Sequence, residues 1–304
     1  MLDIDHIQID PAYADRLRAV GLDRVDRILN WTEGRICAWS RSTDTMHIPA
    51  GDGLPGFYLK RYRFLDWNRR IRCTFRGSLF GEPRAAAEYR LLRQMRQLGI
   101  PAVRPIAVGC RRRLQFVVGS FLITEEVPDA QNLTSFARSL ATGRVALGVA
   151  ARRAFVGRLA RQIAEIHVAG FQHGQLFWRN VLVRMLPTGE AEFYFLDARP
   201  RHTVRRLSRL GRNWWIEELA HMAASAEVFT SRSERLRFLI AYYKARGVRV
   251  DLAEQIGEIE ALRGKWARHE AQRVRMGDRF DEWNRRLAEE IAAEVAPAAT
   301  GDGV

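Results

Sequence analysis

One stretch constrains this chain more than any other: FQHGQLFWRNVLVRM, followed after a PTGE turn by AEFYFLDARP. Two short apolar runs around a turn signal ask for a hairpin-like pair of strands. His173, Gln175 and Asn180 precede the first run, and Asp197 closes the second, 17 residues after Asn180. At that spacing an asparagine amide and a strand-end carboxylate converge, an arrangement suited to a divalent metal that bridges phosphates. The plainer alternative is that Asn180 caps a turn and Asp197 only ends a strand.

A second pair of residues sharpens the choice. Pro83 stands where a first helical turn tolerates it and Gly99 where a helix stops, so a helix is expected over 83–98. Leu91, Leu92 and Met95 follow Glu88 at three, four and seven residues, which puts Glu88 on the apolar face. A carboxylate there needs a cation. The chain has 49 Lys+Arg, but its lysines are only Lys60, Lys244 and Lys265, and Lys60 ends the apolar strand GFYLKRY. A strand lysine and an inward helix glutamate can meet if the sheet packs on the helix. Otherwise Lys60 is an exposed edge cation and Glu88 snorkels.

The rest of the chain supplies a setting for these residues. With 304 residues and 47% hydrophobic content, a real core is available and disorder as the main state is excluded. Short amphipathic helices are expected over 8–30, then strands at 35–39, 45–48 and 57–64, the 83–98 helix, and two more strands through VRPIAVG and LQFVVGSFLITEEV. Beyond Asn132 the pattern turns mainly helical, over 133–140, 152–169, 214–226, 233–246 and 252–295, with a frayed tail. The first residues, MLDIDHIQID, have neither a basic start nor an apolar run, so a cytosolic protein is expected. Cys37, Cys73 and Cys110 have no metal-ligand spacing and are read as reduced.

In sequence order, FYLKRY, the Glu88 helix with LGIPAVRPIAVG, FLITEEVPDAQNL, HGQLFWRNVLV, FYFLDARP and RLRFLIAYY resemble the lipopolysaccharide-core sugar kinases of the Kdo/WaaP family, over roughly residues 12 to 250. The resemblance implies an α+β, bilobal protein-kinase-like fold with a small antiparallel N-lobe and a helical C-lobe. It divides the chain into an N-terminal helical extension over 1–34, an N-lobe over 35–127, a C-lobe over 128–295 and a disordered tail over 296–304. It implies ATP as cofactor with Mg²⁺ or Mn²⁺. Lys60 would bind the ATP phosphates and Glu88 would position it; the backbone of Glu125, Glu126 and Val127 would face the adenine. Asn180 and Asp197 would hold the metal, and His173 would brace the catalytic loop.

Three features depart from the family pattern. Gln175 occupies the position of the catalytic aspartate and cannot take up a hydroxyl proton, although its oxygen can orient one. RICAWSRSTDTMHI contains no G-x-G-x-x-G, leaving Ser40 to Thr45 to form the turn over the phosphates. Ala198-Arg199 replaces Phe-Gly after Asp197, so no flipping activation loop is implied.

The net charge of +14 calls for anionic partners. Arg199, Arg201, Arg205, Arg206, Arg209 and Arg212 form a stretch without an acidic residue. It suits an anionic glycolipid or phosphorylated sugar acceptor, or it is a solvated loop. Arg61, Arg63, Arg69, Arg70, Arg72 and Arg76 alternate with Tyr62, Phe64, Trp67 and Phe75. That cluster suits an anionic membrane face, here peripheral contact with the inner membrane, or single-stranded nucleic acid. No RNP, KH or zinc pattern supports the latter. The expected activity is phosphorylation of a sugar hydroxyl of a membrane glycolipid, with a protein Ser/Thr kinase or a pseudokinase scaffold as alternatives.

Overall fold

A computed structural model describes the chain except for residues 1–3, 41, 50, 52, 64–81, 114–115, 200–213 and 296–304. It has the expected α+β architecture. The first part comprises β1 (Ile4–Ile9), α1 (Ala14–Ala19), α2 (Val25–Leu29), β2 (Arg35–Ser40), β3 (Thr43–Ile48), β4 (Phe57–Arg63), α3 (Arg84–Gln97), β5 (Pro105–Arg113) and β6 (Phe116–Glu125). Its strands form one antiparallel sheet in the order β1-β5-β6-β4-β3-β2. The second part holds β7 (Gln131–Asn132), α4 (Leu133–Ala141), α5 (Val149–Val168), β8 (Val181–Met185), β9 (Ala191–Phe195), α6 (Trp214–Ala226), α7 (Arg232–Arg246) and α8 (Leu252–Val295). Its short strands make a second sheet, β7-β8-β9. Cys37 and Cys110 are free thiols; Cys73 and the 296–304 tail lie outside the described residues.

The period-two alternation of β4 sorts its side chains onto two faces. Phe57 and Leu59 join Leu17, Leu22, Val25, Ile28, Phe121 and Ile123 in a core between the sheet and the N-terminal helices. Tyr62, from the opposite face, joins Ala85, Tyr89, Leu92 and Met95 of α3 in the larger core that continues into the helical lobe. Lys60 shares that parity and therefore faces α3. Its neighbour Arg61 points the other way, is 4% exposed, and donates to Asp44 Oδ1 at 2.7 Å and to the carbonyls of Ile28, Leu29 and Trp31 at the end of α2. A fork of five donors can satisfy that cluster of acceptors, whereas an ammonium cannot.

β1 was not expected. It pairs with β5 from Ile4↔Arg112 to Ile9↔Ala107, where the sequence suggested only helices before Arg35. Its residues are mostly exposed, with Ile4 at 47% and Ile7 at 38%, so a ladder on the sheet edge rather than a buried face holds it in place. Such a strand leaves no burial pattern to read.

The two lobes are joined by backbone as well as by packing. Ala102 forms an isolated parallel bridge with Phe195, Val103 N–H donates to Phe195 O at 3.1 Å, and Phe195 N–H donates to Pro101 O at 3.0 Å. The segment leaving α3 is thus stitched to the end of β9, two residues before Asp197.

Candidate active site

Lys60 lies between two carboxylates. Its Nζ donates to Glu88 Oε1 and Oε2 at 3.0 and 2.8 Å and to Asp197 Oδ1 at 2.9 Å. Tyr62, two residues along the same strand face, donates its hydroxyl to Glu88 Oε2 at 2.6 Å. Glu88 is 6% exposed and sits among the apolar residues of α3, as its periodicity required. The strand lysine, the helix glutamate and the strand-end aspartate therefore meet, although 137 residues separate Lys60 from Asp197.

Burial disfavours the Lys60 ammonium, but Asp197 and Glu88 outweigh it and hold its pKa well above the ordinary lysine value. Burial also pushes Asp197 upward, and Lys60, then Arg199, override this and bring it down to about 2. Glu88 moves upward: burial and the neighbouring Asp197 charge together exceed the pull of Lys60. One ammonium serving two carboxylates leaves the cluster with surplus negative charge, which a bound cation relieves.

The loop 173–180 is a chain of local hydrogen bonds. Gln175 N–H donates to His173 Nδ1 at 3.3 Å, Asn180 Nδ2 donates to Gln175 O at 2.9 Å, and Phe177 N–H donates to the same carbonyl at 2.8 Å. Burial lowers the His173 pKa, with Glu218 and Asp197 opposing only in part, so the ring is neutral and Nδ1 is a competent acceptor. Leu196 N–H donates to Asn180 O at 3.1 Å and Arg199 N–H to His173 O at 2.9 Å, which ties this loop to both sides of Asp197. Gly174 has φ +78°, and a Cβ there would lie 2.5 Å from the Arg199 carbonyl oxygen, so only glycine lets the two segments approach. Asp197 is itself left-handed, at φ 58°, a conformation that aspartate tolerates better than most residues.

Each nominated residue has a definite place. The side-chain oxygen Oε1 of Gln175 is buried without a hydrogen-bond partner. Asn180 uses its amide nitrogen within the loop, and its oxygen forms no hydrogen bond among the described residues. Such an amide oxygen and the second Asp197 oxygen suit a hard divalent cation that takes its other ligands from phosphates and water. The described residues hold no group of three or more His, Cys, Asp or Glu that would cage a metal unaided. Glu125 N–H is committed to Arg104 O at 2.8 Å and Glu126 N–H to Gly56 O at 2.9 Å, while Val127 N–H has no partner among the described residues. The Glu125 carboxylate accepts from Tyr13 and Arg16, and that of Glu126 from Gly56 N–H at 2.8 Å.

Other nominated residues fall elsewhere. Arg201, Arg205, Arg206, Arg209 and Arg212 lie outside the described residues, as do Phe64, Trp67, Arg69, Arg70, Arg72, Phe75 and Arg76 and part of the 40–45 turn. Arg199 is described, with Nε 3.7 Å from Asp197 Oδ1. Arg61 and Tyr62 are buried on internal partners and do not belong to a surface patch.

Sequence reasoning missed Glu218. This carboxylate on α6 accepts from His173 N–H at 3.2 Å and Gly174 N–H, and contacts His167 Nε2 at 3.1 Å; His167 Nδ1 in turn lies 2.6 Å from the Tyr242 hydroxyl. Glu218 is fully buried. The available signal was an acidic residue inside the apolar run WWIEELAHMA. A separate cavity lies apart from the Lys60 cluster. It measures about 580 Å³, opens among the helices of the second lobe, and is lined by Leu133, Phe136, Phe155, Leu219, Met222 and Phe238 among others.

Residues 27–243 match the model of the lipopolysaccharide kinase (Kdo/WaaP) family. The lipopolysaccharide core heptose(I) kinase WaaP of Pseudomonas aeruginosa is 23% identical over 226 residues, covering 73% of this chain and 82% of that protein. The 3-deoxy-D-manno-octulosonic acid kinase of Pasteurella multocida is 26% identical over 200 residues, covering 66% and 75%. A solved structure of WaaP in complex with acyl carrier protein superposes with a TM-score of 0.58 at 18% identity, over 86% of this chain and 98% of that one, which agrees with a bilobal kinase-like fold.

Proposed function

Because this chain belongs to the lipopolysaccharide kinase (Kdo/WaaP) family, and is a kinase of that kind, we propose that it transfers the terminal phosphoryl group of ATP to a sugar hydroxyl of an anionic membrane glycolipid. The observation that carries this reading is Lys60 held between Glu88 and Asp197. In this reading residues 35–127 form the nucleotide lobe, 128–295 the lobe that bears the catalytic loop, and 1–34 an extension that adds the edge strand β1 and packs its helices on the sheet. No helix among the described residues is long and apolar enough to cross a membrane, so contact with the lipid-borne acceptor is peripheral in this proposal.

The roles follow from the donors and acceptors present. Lys60 neutralises the α- and β-phosphates, with Glu88 fixing its ammonium. Glu125 offers a carbonyl and Val127 an unused N–H to the adenine edge; Glu126 holds the turn at Gly56. Asn180 and Asp197 would hold Mg²⁺ or Mn²⁺, which when bound neutralises charge on the phosphates. His173 braces the loop through Gln175 N–H. The orphaned Gln175 Oε1 accepts a hydrogen bond from the acceptor hydroxyl and orients its lone pair towards phosphorus. The amide cannot take the proton, which passes to an oxygen of the transferred phosphoryl group as the acceptor oxygen bonds to phosphorus and ADP departs, through a loose, largely dissociative transition state.

The test is turnover of ATP on membrane glycolipid extracts with Mg²⁺ or Mn²⁺, beside thermal shifts with a non-hydrolysable ATP analogue. The natural protein should bind nucleotide in a metal-dependent way and phosphorylate glycolipid. Gln175→Asp should raise the rate by about 10²-fold, the lower part of the range for general-base help. Absence of nucleotide binding at millimolar concentration removes the reading. A natural protein silent on glycan, lipid and protein acceptors, with an active Gln175→Asp variant, identifies a scaffold instead; phosphate found only on protein identifies a Ser/Thr kinase.

A second reading concerns the cavity in the helical lobe. The solved relative binds acyl carrier protein, and a carrier of that class presents an apolar acyl chain suited to a cavity of about 580 Å³ lined by leucine, methionine and phenylalanine. Acyl-loaded carrier protein should raise Tm while the unloaded carrier does not. No shift with either form removes this reading.

A further inference from the structure

The family match ends at residue 243, yet α8, which begins at Leu252, reaches back to the loop that delivers Asn180. Its Glu270 is 2% exposed and ion-pairs with Arg179, the residue immediately before Asn180. The other Glu270 oxygen lies 3.5 Å from Ser225 Oγ of α6, and that hydroxyl accepts from Trp178 N–H at 3.3 Å. One turn earlier on α8, Trp266 meets Phe177 edge-on at 6.0 Å and His221 at 4.7 Å, and His221 stacks on Phe177 at 4.4 Å. Phe177, Trp178 and Arg179 are therefore each anchored by α8, directly or through α6, before the chain reaches Asn180.

The charge of Arg179 gives this anchorage a chemical meaning. Its side chain is only 22% exposed, and it directly precedes Asn180, whose backbone carbonyl accepts from Leu196 N–H beside Asp197 at 3.1 Å. Without the Glu270 carboxylate, the positive charge at this point is no longer balanced by it, which opposes a divalent cation at the Asn180–Asp197 end and loosens the Asn180 turn. The Phe177 face, 4.3 Å from the Arg179 carbon, and the Glu270 carboxylate together hold the cation in a neutral pair. Resting on the assignment of Asn180 and Asp197 to the metal, we infer that Glu270 is a positioning residue of the phosphotransfer site, acting through Arg179 to keep the Asn180–Asp197 end open to a divalent cation.

Mn²⁺ titration of the full-length protein with a non-hydrolysable ATP analogue, read by electron paramagnetic resonance, tests this without turnover. The natural protein is measured first; if it shows no nucleotide-dependent Mn²⁺ binding, the site assignment itself fails. Given such binding, Glu270→Gln should weaken Mn²⁺ about 10-fold while metal-free nucleotide affinity stays unchanged, and Glu270→Asp should recover most of it. Arg179→Gln combined with Glu270→Gln should also restore Mn²⁺ affinity, since the unbalanced charge has gone. A Glu270→Gln protein with lower Tm but natural Mn²⁺ affinity makes Glu270 a support of the fold only and overturns the inference. If Glu270→Gln does not fold, Glu270→Ser is read in its place: a tenfold loss of Mn²⁺ affinity that Arg179→Gln relieves upholds the inference, and natural Mn²⁺ affinity overturns it.

Discussion

Asp197→Asn should lower phosphotransfer by about 10³-fold or more and abolish the metal-dependent part of nucleotide binding. Asparagine is the right replacement because residue 197 sits at φ 58°, which asparagine adopts more easily than alanine, so the loss reports charge and not backbone strain. The carboxylate has a pKa of about 2 beside Lys60 and Arg199, so it is ionised throughout the range in which the protein is handled. Without that charge, Lys60 is left with Glu88 alone, and the cation end of the site keeps only a neutral amide and Asn180. Turnover on glycolipid and the metal-dependent thermal shift should fall together. A variant that keeps more than a tenth of the natural rate would take Asp197 out of the metal role.

Glu218→Ala should cost about 3–5 kcal/mol, since several buried donors each lose their acceptor at about 1–3 kcal/mol apiece. Three donors lose their partner at once: His173 N–H, Gly174 N–H and His167 Nε2. For a chain of this size that corresponds to a fall in Tm of roughly 10 °C. The 173–180 loop should be lost first, because Glu218 holds its opening turn. The same region makes the fold sensitive to acid. Burial pushes Glu218 up, but its hydrogen bond with His167 and that from Gly174 N–H hold it below the usual carboxylate range. Its contribution is complete above the ordinary glutamate value and is lost as pH falls through the lowered one. Burial lowers His221 from 6.5 to about 4, so between these values the unfolded chain binds a proton that the folded protein refuses. Stability should then fall by up to about 3 kcal/mol as pH drops from 6.5 to 4. Urea midpoints at pH 7, 5.5 and 4.5 measure this; equal midpoints in the natural protein, or natural stability in Glu218→Ala, would refute it.

The meeting of Lys60 with Glu88 was legible because each sits on an element with a strong period, whereas the contact of Lys60 with Asp197 was not read. Strand alternation turns Lys60 to the same face as Tyr62, helical spacing turns Glu88 inward, and the FYFL run delivers Asp197. Lys60 also stood out as the first of few lysines in an arginine-rich chain. Arg61, one residue later, shows why arginine serves elsewhere: its fork ties several carbonyls of a helix end, work that needs geometry more than a point charge. Residues whose partners lie far away in sequence were not legible. Glu218 serves a loop 45 residues earlier, Glu270 serves Arg179 across 91, and β1 is placed by a ladder to β5 that leaves no pattern in its own composition. The commitment of the Glu125 and Glu126 N–H groups to Arg104 and Gly56 likewise depends on how strand ends meet, which local propensity does not encode.

The stitch between residues 101–103 and Phe195 has a consequence for control. α3 leads into Pro101 within a few residues, and Phe195 leads into Asp197, so the helix that carries Glu88 and the end that carries Asp197 are coupled through paired backbone. Kinases that are switched by swinging this helix outward need it to part from the opposite lobe. Here such a swing would break the bridge at Ala102 and the bonds at Pro101 and Val103 together. With Lys60 already engaged on both carboxylates, no minor conformer has to be recruited before nucleotide enters, and no fraction of affinity is spent on selecting one. On the proposed function, turnover is then left to the chemical step, where Gln175 stands in place of a carboxylate, and not to a rearrangement of the Lys60 cluster.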